Sequence, residues 1–502
     1  MDDAADGQDG ESADLATKLG FPIVDIVPDG DILLDVTFET SKETLKAARK
    51  AAKPRPGQKV TPLVFKARNR VGYRVQLSVL KQNSKYFDNL LSDTRFAEAR
   101  SIEETFQRLS LKNVKPSEAD ASDLPMVKIH EDDEATRSAG HNSVFEDLLR
   151  ILHRKQSTAK AVTMQHLAVL ALLADRFNCI AIVSRYLNAL KYKWPATQTR
   201  VSRDDGPTLS RATEETLRQK ILVAWLLDQP PKLQVATREL IMYGSRRWSE
   251  YLDEEQEESY AAAWWDLPDD LEQELHHRRE RILTTIASIQ THFLGLYTSR
   301  TRQCKLGYDS SASCDSYQLG EMIKFLCSRN LLFLTSFAPS PFPFPPPSLS
   351  TTPAAPSIPD ISTTDIGSIL ATLKQCPAYQ IDKNHTHCGL RARALPAVEY
   401  VQAMLASGAV AIARPAWVRD REGAAWRSSL DVEGGHDGEG KRERKVFRFT
   451  RGLATDQRLR MEGAMAVDRS ARALFTADEW DWSTEDRDET RGVEFGRWPA
   501  AR

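Results

Sequence analysis

Apolar and polar residues alternate with the period of β-strands at several places in the first third of the chain. β-Branched and aromatic residues partly alternate with polar residues over Asp31–Thr40. Two more strand-like stretches, 63–67 and 73–76, flank a turn-like composition at 69–72. A further short stretch follows at 126–130. The pattern therefore predicts a small sheet.

Helical periodicity follows these strands. Apolar residues recur at helical spacing over 77–91 and again over 144–152. The segment 162–177 is apolar almost all round, which is typical of a helix buried at the centre of a domain. An amphipathic pattern returns over 180–190. The predicted fold class is α+β, with a small sheet capped by helices and a mainly helical C-terminal region.

Helical patterns also dominate beyond Pro195, and the longest of them runs to about Tyr297. Apolar residues recur every seven positions along it, at Leu275, Ile282, Ile289 and Leu296. One interpretation is a long helix packed on its own domain, and the other is a short coiled-coil seam. Arg279 falls on a core position of that seam, which favours the first interpretation.

Composition divides the chain into folded and unfolded parts. A dense Pro/Ser/Phe tract must be extended, because proline sustains neither helices nor sheet ladders. It is either a linker or a ligand for a Pro-recognising domain. The predicted parts are a disordered acidic N-terminus (1–28), an α+β domain (29–194) with inserts near 41–59 and 99–124, a helical region (210–330), the Pro/Ser-rich linker (336–360), a small element (366–430) packed on 210–330, and a disordered tail (431–502).

Charge and hydropathy exclude several classes of protein. The net charge is -2, so no global field draws the chain to nucleic acid or to anionic lipid. The N-terminus has no apolar secretory core, and the apolar runs are far shorter than a membrane span. We therefore expect a cytoplasmic or nuclear protein, or one found in both places, with no membrane and no nucleic acid as partner. Six cysteines are too few for a disulfide scaffold.

Catalytic signatures are largely missing from the sequence. It contains no P-loop, no GxGxxG, no HExxH and no GxSxG elbow. We therefore predict no enzymatic activity. A hydrolase with a nucleophile and base assembled from distant residues stays open as an alternative.

A short basic run, Lys441–Lys445, lies in the tail. It is either a nuclear import signal or a solvated charge cluster. The first interpretation leads to a nuclear, transcription-associated factor as the alternative function.

Cysteine and histidine cluster on both sides of the Pro-rich tract. The residues are Cys304, Cys314, Cys376, His385, His387 and Cys388. Thiolate and imidazole are the ligands that zinc prefers, and four of them would close a tetrahedral structural site. The spacing lacks CxxC knuckles, so ordinary core thiols and surface histidines are the alternative. No other cofactor is predicted.

A series of short motifs follows the order of the predicted strands and helices. They are Asp31, Asp35–Val36, the run 73–80, Ser84 to Phe87, Leu90–Leu91, Phe96 to Glu98, 127–129 and 145–153. Their residue types and order resemble those of a BTB/POZ domain over about a third of the chain. Gln76 stands where that family has a histidine, so the role of that histidine does not carry over. The blocks 302–322 and 376–391 resemble the C-terminal half of BTB-containing proteins of filamentous fungi, a group with no activity to transfer.

The resemblance implies a protein-interaction adaptor or scaffold that pairs with itself or with another protein. The apolar Ile32–Leu34 segment is the motif from which self-association is expected. In BTB adaptors for cullin-type ubiquitin ligases, an aromatic or apolar residue followed two positions later by Glu contacts the cullin. Phe96 and Glu98 fall in the matching place, in a predicted loop before the strand at 126–130. The default interpretation is that Phe96 belongs to the core.

Overall fold

The chain forms two units in the computed structural model. The described residues are 20–51, 66–158, 162–194, 210–249, 261–304, 306, 308–331, 362–385, 388–427, 444–450, 453 and 463–483. Unit 1 comprises Met1–Gln198, Glu215–Lys232 and Asp253–Pro268. Unit 2 comprises Thr199–Glu214, Leu233–Leu252 and Asp269–Arg502.

Unit 1 contains a four-stranded sheet in the order β1-β3-β2-β4. Its strands are β1 (Ile23–Asp25), β2 (Ile32–Glu39), β3 (Arg68–Val75) and β4 (Met126–Glu131). β2 and β3 are antiparallel, with Leu34 opposite Tyr73. β4 runs parallel to β2, and β1 runs parallel to β3.

Strand β2 forms the centre of this sheet, and its first seven residues are buried. Such a strand is covered on both faces, which explains its nearly continuous apolar sequence. Asp35 is the charged exception. Arg70 on β3 neutralises it with two parallel hydrogen bonds, Nε to Oδ1 and Nη2 to Oδ2, each 2.7 Å long.

The helices of unit 1 cover this sheet around an aromatic core. They are α1 (Lys42–Ala51), α2 (Leu77–Asn83), α3 (Lys85–Ser92), α4 (Ala97–Leu111), α5 (His141–Leu152), α6 (Met164–Arg176) and α7 (Ile180–Ala189). Phe87 stacks on Phe177 with ring centroids 5.3 Å apart. Phe145 meets Phe177 edge-on at 5.5 Å and Phe38 of β2 at 5.7 Å. These rings join the sheet to α3 and α5.

Two sequence predictions in unit 1 are wrong. Disorder was expected for 1–28, but within this range residues 20–28 form β1 and its flanks, because Phe21 and Ile26 are buried. The turn expected at 69–72 lies inside β3. Gly72 there serves close packing, since a Cβ at this position would lie 2.9 Å from the Phe21 ring. Of the strand expected at 63–67, residues 63–65 lie outside the described residues.

The polar insert expected at 99–124 contains most of α4. This helix buries Ala99, Ile102 and Leu109 on one face. Leu109 packs with Ala119 and Leu124, and Phe106 and Val114 cover this small cluster. The insert is therefore an ordered element with its own apolar contacts. The insert expected at 41–59 begins as α1, and its residues after Ala51 lie outside the described part.

Two helices follow, α8 (Arg211–Leu226) and α9 (Pro230–Tyr243), and a boundary between the units falls inside each. The predicted helical region 210–330 is therefore divided between two units. Residues 263–265 belong to unit 1 because their contacts are with that unit. Within unit 1, the N–H of Ala263 donates to the carbonyl of Ala135, and Trp264 Nε1 donates to Glu215 at 3.2 Å.

Unit 2 is organised around a 28-residue helix, α10 (Leu271–Thr298). The other helices are α11 (Ser311–Ser328), α12 (Ile366–Lys374), α13 (Leu390–Met404), α14 (Arg414–Arg419), α15 (Arg421–Ala424) and α16 (Gly463–Phe475). Along α10, Leu275, Ile282 and Ile289 are fully buried. Arg279 is buried too, and it donates to the carbonyls of Ile241, Met242 and Thr364. This supports a helix packed on its own domain.

The tail expected to be disordered over 431–502 is folded where the structure describes it. Strand β5 (Val446–Arg448) pairs in parallel with β6 (Glu479–Asp481). Trp482 is fully buried, packs on Phe449 at 5.7 Å, and donates from Nε1 to Ser288 Oγ at 2.7 Å. Aromatic burial therefore orders this segment despite its Gly, Arg and Asp content.

The described chain is mixed α+β, with small sheets and many helices, which confirms the predicted class. None of its described helices combines the length and the apolar character that crossing a membrane requires.

Candidate metal centre

Two loops of unit 2 bring a cluster of cysteine and histidine together. Cys304 lies between α10 and α11, and Cys314 lies in the first turn of α11. His385 and Cys388 lie between α12 and α13. Asp315 shapes the first loop by accepting hydrogen bonds from the backbone N–H groups of Gln303 and Cys304, at 2.7 and 3.0 Å.

The four side chains face one another. One ligand atom from each of Cys304, Cys314, His385 and Cys388 lies within 4.8 Å of all the others, so the group could hold a metal ion. Cys304 Sγ lies 3.6 Å from Cys388 Sγ and 3.5 Å from His385 Nδ1. Tetrahedral zinc, with its usual bond lengths, separates two sulfur ligands by roughly 3.8 Å and a sulfur from a nitrogen by about 3.6 Å. The observed spacing therefore fits a four-coordinate ion.

The site is largely shielded from solvent. Cys304, Cys314 and His385 are buried, and Cys388 is partly exposed. Four protein ligands would complete a tetrahedral shell, which is the arrangement of structural zinc sites. Catalytic sites keep a coordination position open, so this arrangement suits a structural role.

The thiols influence one another's ionisation. Burial opposes ionisation of Cys304, but hydrogen bonds from the Ser311 hydroxyl, the Leu306 backbone and the other two thiols lower its pKa to about 7. Burial, together with the charges of Cys304 and Cys388, raises the pKa of Cys314 to about 12. Burial and Cys304 also raise the pKa of Cys388. Ionisation of one thiol therefore opposes ionisation of the other two. A bound cation would allow all three thiols to ionise.

Cys376, one of the six predicted ligands, does not join the group. Cys376 Sγ instead lies 3.4 Å from Met322 Sδ, and burial raises the pKa of this thiol to about 11. His387 lies outside the described residues.

Four polar residues that the sequence did not single out surround the candidate ligands. They are Ser310, Ser311, Asp315 and Asp382. The Ser311 hydroxyl is buried and interacts with Cys304, which suits a thiolate at that position. The four polar residues lie close to candidate ligands in the sequence, which is the one signal that could have identified them. Serine and aspartate are too common for this signal to be specific.

The predicted protein-binding residues lie in unit 1, at the start of α4. Phe96 is the residue before the first turn and is 45% exposed, so the default expectation of a core residue is wrong. Glu98 lies in the first turn and is half-buried. The motif therefore begins a helix and does not lie in a loop.

The Ile32–Leu34 segment, from which self-association was expected, does not lie on the surface. All three side chains are fully buried in β2. They are part of the core of unit 1 and do not form a free apolar surface.

Comparisons of the chain with family models, with curated proteins and with solved structures found no match. The arrangement of its own residues is therefore the basis for any functional assignment.

Proposed function

We propose that the chain is a protein-interaction adaptor, not an enzyme, and that unit 1 is a BTB/POZ-like module. The observation that carries the proposal is the order of elements: the β2–β3 antiparallel pair, the helix pair α2–α3, the parallel strand β4, and then α5 to α7. The motif residues support it as well. Ser84 Oγ accepts a hydrogen bond from the N–H of Phe87 at the start of α3, and Phe87 and Leu91 are buried.

The exposed end of α4 is the surface that we propose for a partner. Phe96 would fill an apolar pocket, and Glu98 would accept hydrogen bonds beside it, as in a small binding hot spot. A cullin N-terminal domain is the proposed partner class. Self-association stays a prediction from the family resemblance, since the buried Ile32–Leu34 segment does not support it.

A pull-down of the full-length chain with the cullin N-terminal domain tests this partner. Phe96→Ala is expected to reduce retention by tenfold or more, because hot-spot side chains contribute about 2 kcal/mol or more. Glu98→Ala is expected to weaken retention as well. Leu111→Ala is the control, because this residue is 90% exposed at the other end of α4. Retention that is absent in the wild type, or equal in all variants, contradicts the ligase-adaptor proposal.

The described part of the basic run, Arg444 and Lys445, gives little support to the alternative of a nuclear factor, because both residues interact with acidic residues of the same chain. Arg444 pairs with Glu479 at 2.7 Å, and the N–H of Lys445 donates to Asp478. Residues 441–443 lie outside the described residues. Exclusion of the protein from the nucleus would count against this alternative.

We further propose that the ion held by Cys304, Cys314, His385 and Cys388 is a structural zinc ion. Three thiols and one imidazole are a donor set that zinc prefers, and the ligand spacing fits its tetrahedral geometry. Two ligands precede the Pro-rich tract and two follow it. A bound ion would therefore tie the two sides of that tract together, and its binding free energy would stabilise unit 2.

Elemental analysis of the purified full-length chain tests the zinc site. We expect about one zinc per chain in the wild type and a near-complete loss in Cys304→Ser. Cys327→Ser is the control, since that thiol is exposed on α11 outside the cluster. Absence of zinc from the wild type, or unchanged zinc in Cys304→Ser, means that these residues are only core thiols.

A further inference from the structure

The two ring nitrogens of His385 face different surroundings. Nδ1 lies 3.5 Å from Cys304 Sγ, on the side of the thiols. Nε2 lies 3.0 Å from the hydroxyl oxygen of Ser310. That hydroxyl lies 3.0 Å from Asp382 Oδ2, which is itself 3.7 Å from Nε2. The ring therefore sits between a sulfur cluster and a hydroxyl–carboxylate pair.

Ser310 does not cap its own helix through its side chain. It is the N-cap residue of α11, and a serine at that position commonly accepts a hydrogen bond from a backbone N–H of the first turn. Its side chain makes no such bond, and instead contacts His385 and Asp382. The hydroxyl of Ser310 therefore contacts the ring and not the first turn of its helix.

The available protons determine the direction of these bonds. A carboxylate can only accept, so Ser310 donates its single hydroxyl proton to Asp382. Its oxygen is then free to accept a proton from Nε2–H of His385. A neutral imidazole that is protonated on Nε2 keeps its lone pair on Nδ1, which is the nitrogen that faces the thiols.

We propose that Ser310 and Asp382 are positioning residues that fix His385 as an Nδ1 metal ligand, with the proton on Nε2. This inference rests on the proposed zinc site and deepens it. Groups behind a ligating histidine orient the ring and strengthen the ligand, and their loss typically weakens metal binding by 10–100-fold.

A hydrolytic triad is the competing explanation for a serine beside a histidine and an aspartate. In a triad the nucleophile faces one ring nitrogen and the carboxylate faces the other. Here Asp382 and Ser310 share the Nε2 side, whereas Nδ1 faces a sulfur. His385 is also fully buried. The geometry therefore favours a ligand over a general base.

Nuclear magnetic resonance of the zinc-loaded full-length chain, labelled with ¹⁵N-histidine, tests the tautomer. We expect the His385 ring to carry its proton on Nε2 and to bind through Nδ1, with the assignment made by loss of its signals in His385→Ala. Coordination through Nε2 overturns the inference but leaves the zinc site standing. A wild-type chain that binds no zinc overturns both.

Zinc affinity, measured by competition with a chelator, tests the positioning role. We expect Ser310→Ala to lose 10–100-fold in affinity and Ser310→Thr, which keeps the hydroxyl, to recover most of it. Ser316→Ala on the exposed side of α11 is the control. An affinity of Ser310→Ala equal to that of the control overturns the inference. If Ser310→Ala does not fold, the tautomer of His385 in the wild type, measured by nuclear magnetic resonance, decides whether the inference holds.

Discussion

Glu131, at the end of β4, carries a buried carboxyl group in unit 1. Its Oε2 lies 3.2 Å from Nη1 of the half-exposed Arg176. Its other oxygen has no hydrogen-bond partner among the described residues. Burial raises the pKa of Glu131 to about 7, because Arg176 offsets only part of the lost hydration and Asp132 adds repulsion. Between pH 4.5 and about 7, Glu131 therefore keeps its proton in the folded state and loses it in the unfolded state.

This difference predicts a pH-dependent effect of Glu131→Gln. As the pH rises from 4.5 to 7, the unfolded chain loses its proton before the folded chain does, so the wild type loses stability. The amide does not titrate. Relative to the wild type, Glu131→Gln should therefore gain stability with rising pH, by about 1–3 kcal/mol above pH 7.

Urea dependence of hydrogen exchange in β2 peptides, at pH values from 5 to 8, measures the effect. Glu134→Gln is the control, because this side chain is exposed. A difference between Glu131→Gln and the wild type that does not change with pH would falsify the account of this carboxyl group.

At the residue scale, the sequence identified the candidate ligands but not which of them lie together. Cysteine and histidine side chains are typical zinc ligands, so residue type alone made all four members of the cluster candidates. Cys376 could not be excluded by type, because its contact with Met322 depends on how α11 meets the segment after α12. The role of Ser310 could not be read either, since it depends on which ring nitrogen of His385 it meets.

At the scale of elements, periodicity predicted the helices best where the apolar stripe is strong. The segments 77–91, 144–152 and 162–177 correspond to α2–α3, α5 and α6. Local composition failed where long-range pairing decides the structure. The turn-like residues 69–72 are held extended by β2, which pairs with β3 over its whole length.

Aromatic residues explain why the tail differs from its prediction. Its Gly, Arg and Asp content is typical of disorder. However, Phe449 and Trp482 are buried, and Trp482 reaches Ser288 on α10. A few large side chains therefore outweigh an unfavourable average composition.

At the scale of the whole molecule, the sequence predicted an N-terminal α+β domain and a helical region, but not the division of 210–330. Residues 215–232 and 253–268 belong to unit 1, although they follow the expected end of that domain at 194. Arg218 shows the physical reason, since its guanidinium lies 5.0 Å from the Trp265 ring centroid, across 47 residues of sequence. Contacts at such separations leave no periodic signal in the sequence.

Cys304, Cys314, His385 and Cys388 form the candidate metal centre of unit 2, and we propose that a bound ion holds two distant segments of this unit together. Removal of the ion should therefore act locally. A bound zinc contributes its binding free energy to the structure that its ligands organise. The sheet of unit 1 contains none of these ligands and should be unaffected.

Hydrogen–deuterium exchange of the full-length chain, with and without a zinc chelator, tests this claim most directly. We expect chelation to speed exchange by about tenfold or more in peptides that contain the starts of α11 and α13, while peptides from β2 are unchanged. Cys304→Ser should show the fast exchange whether or not the chelator is present. Equal exchange around α11 and α13 with and without the chelator, in a chain shown to contain zinc, would contradict the claim.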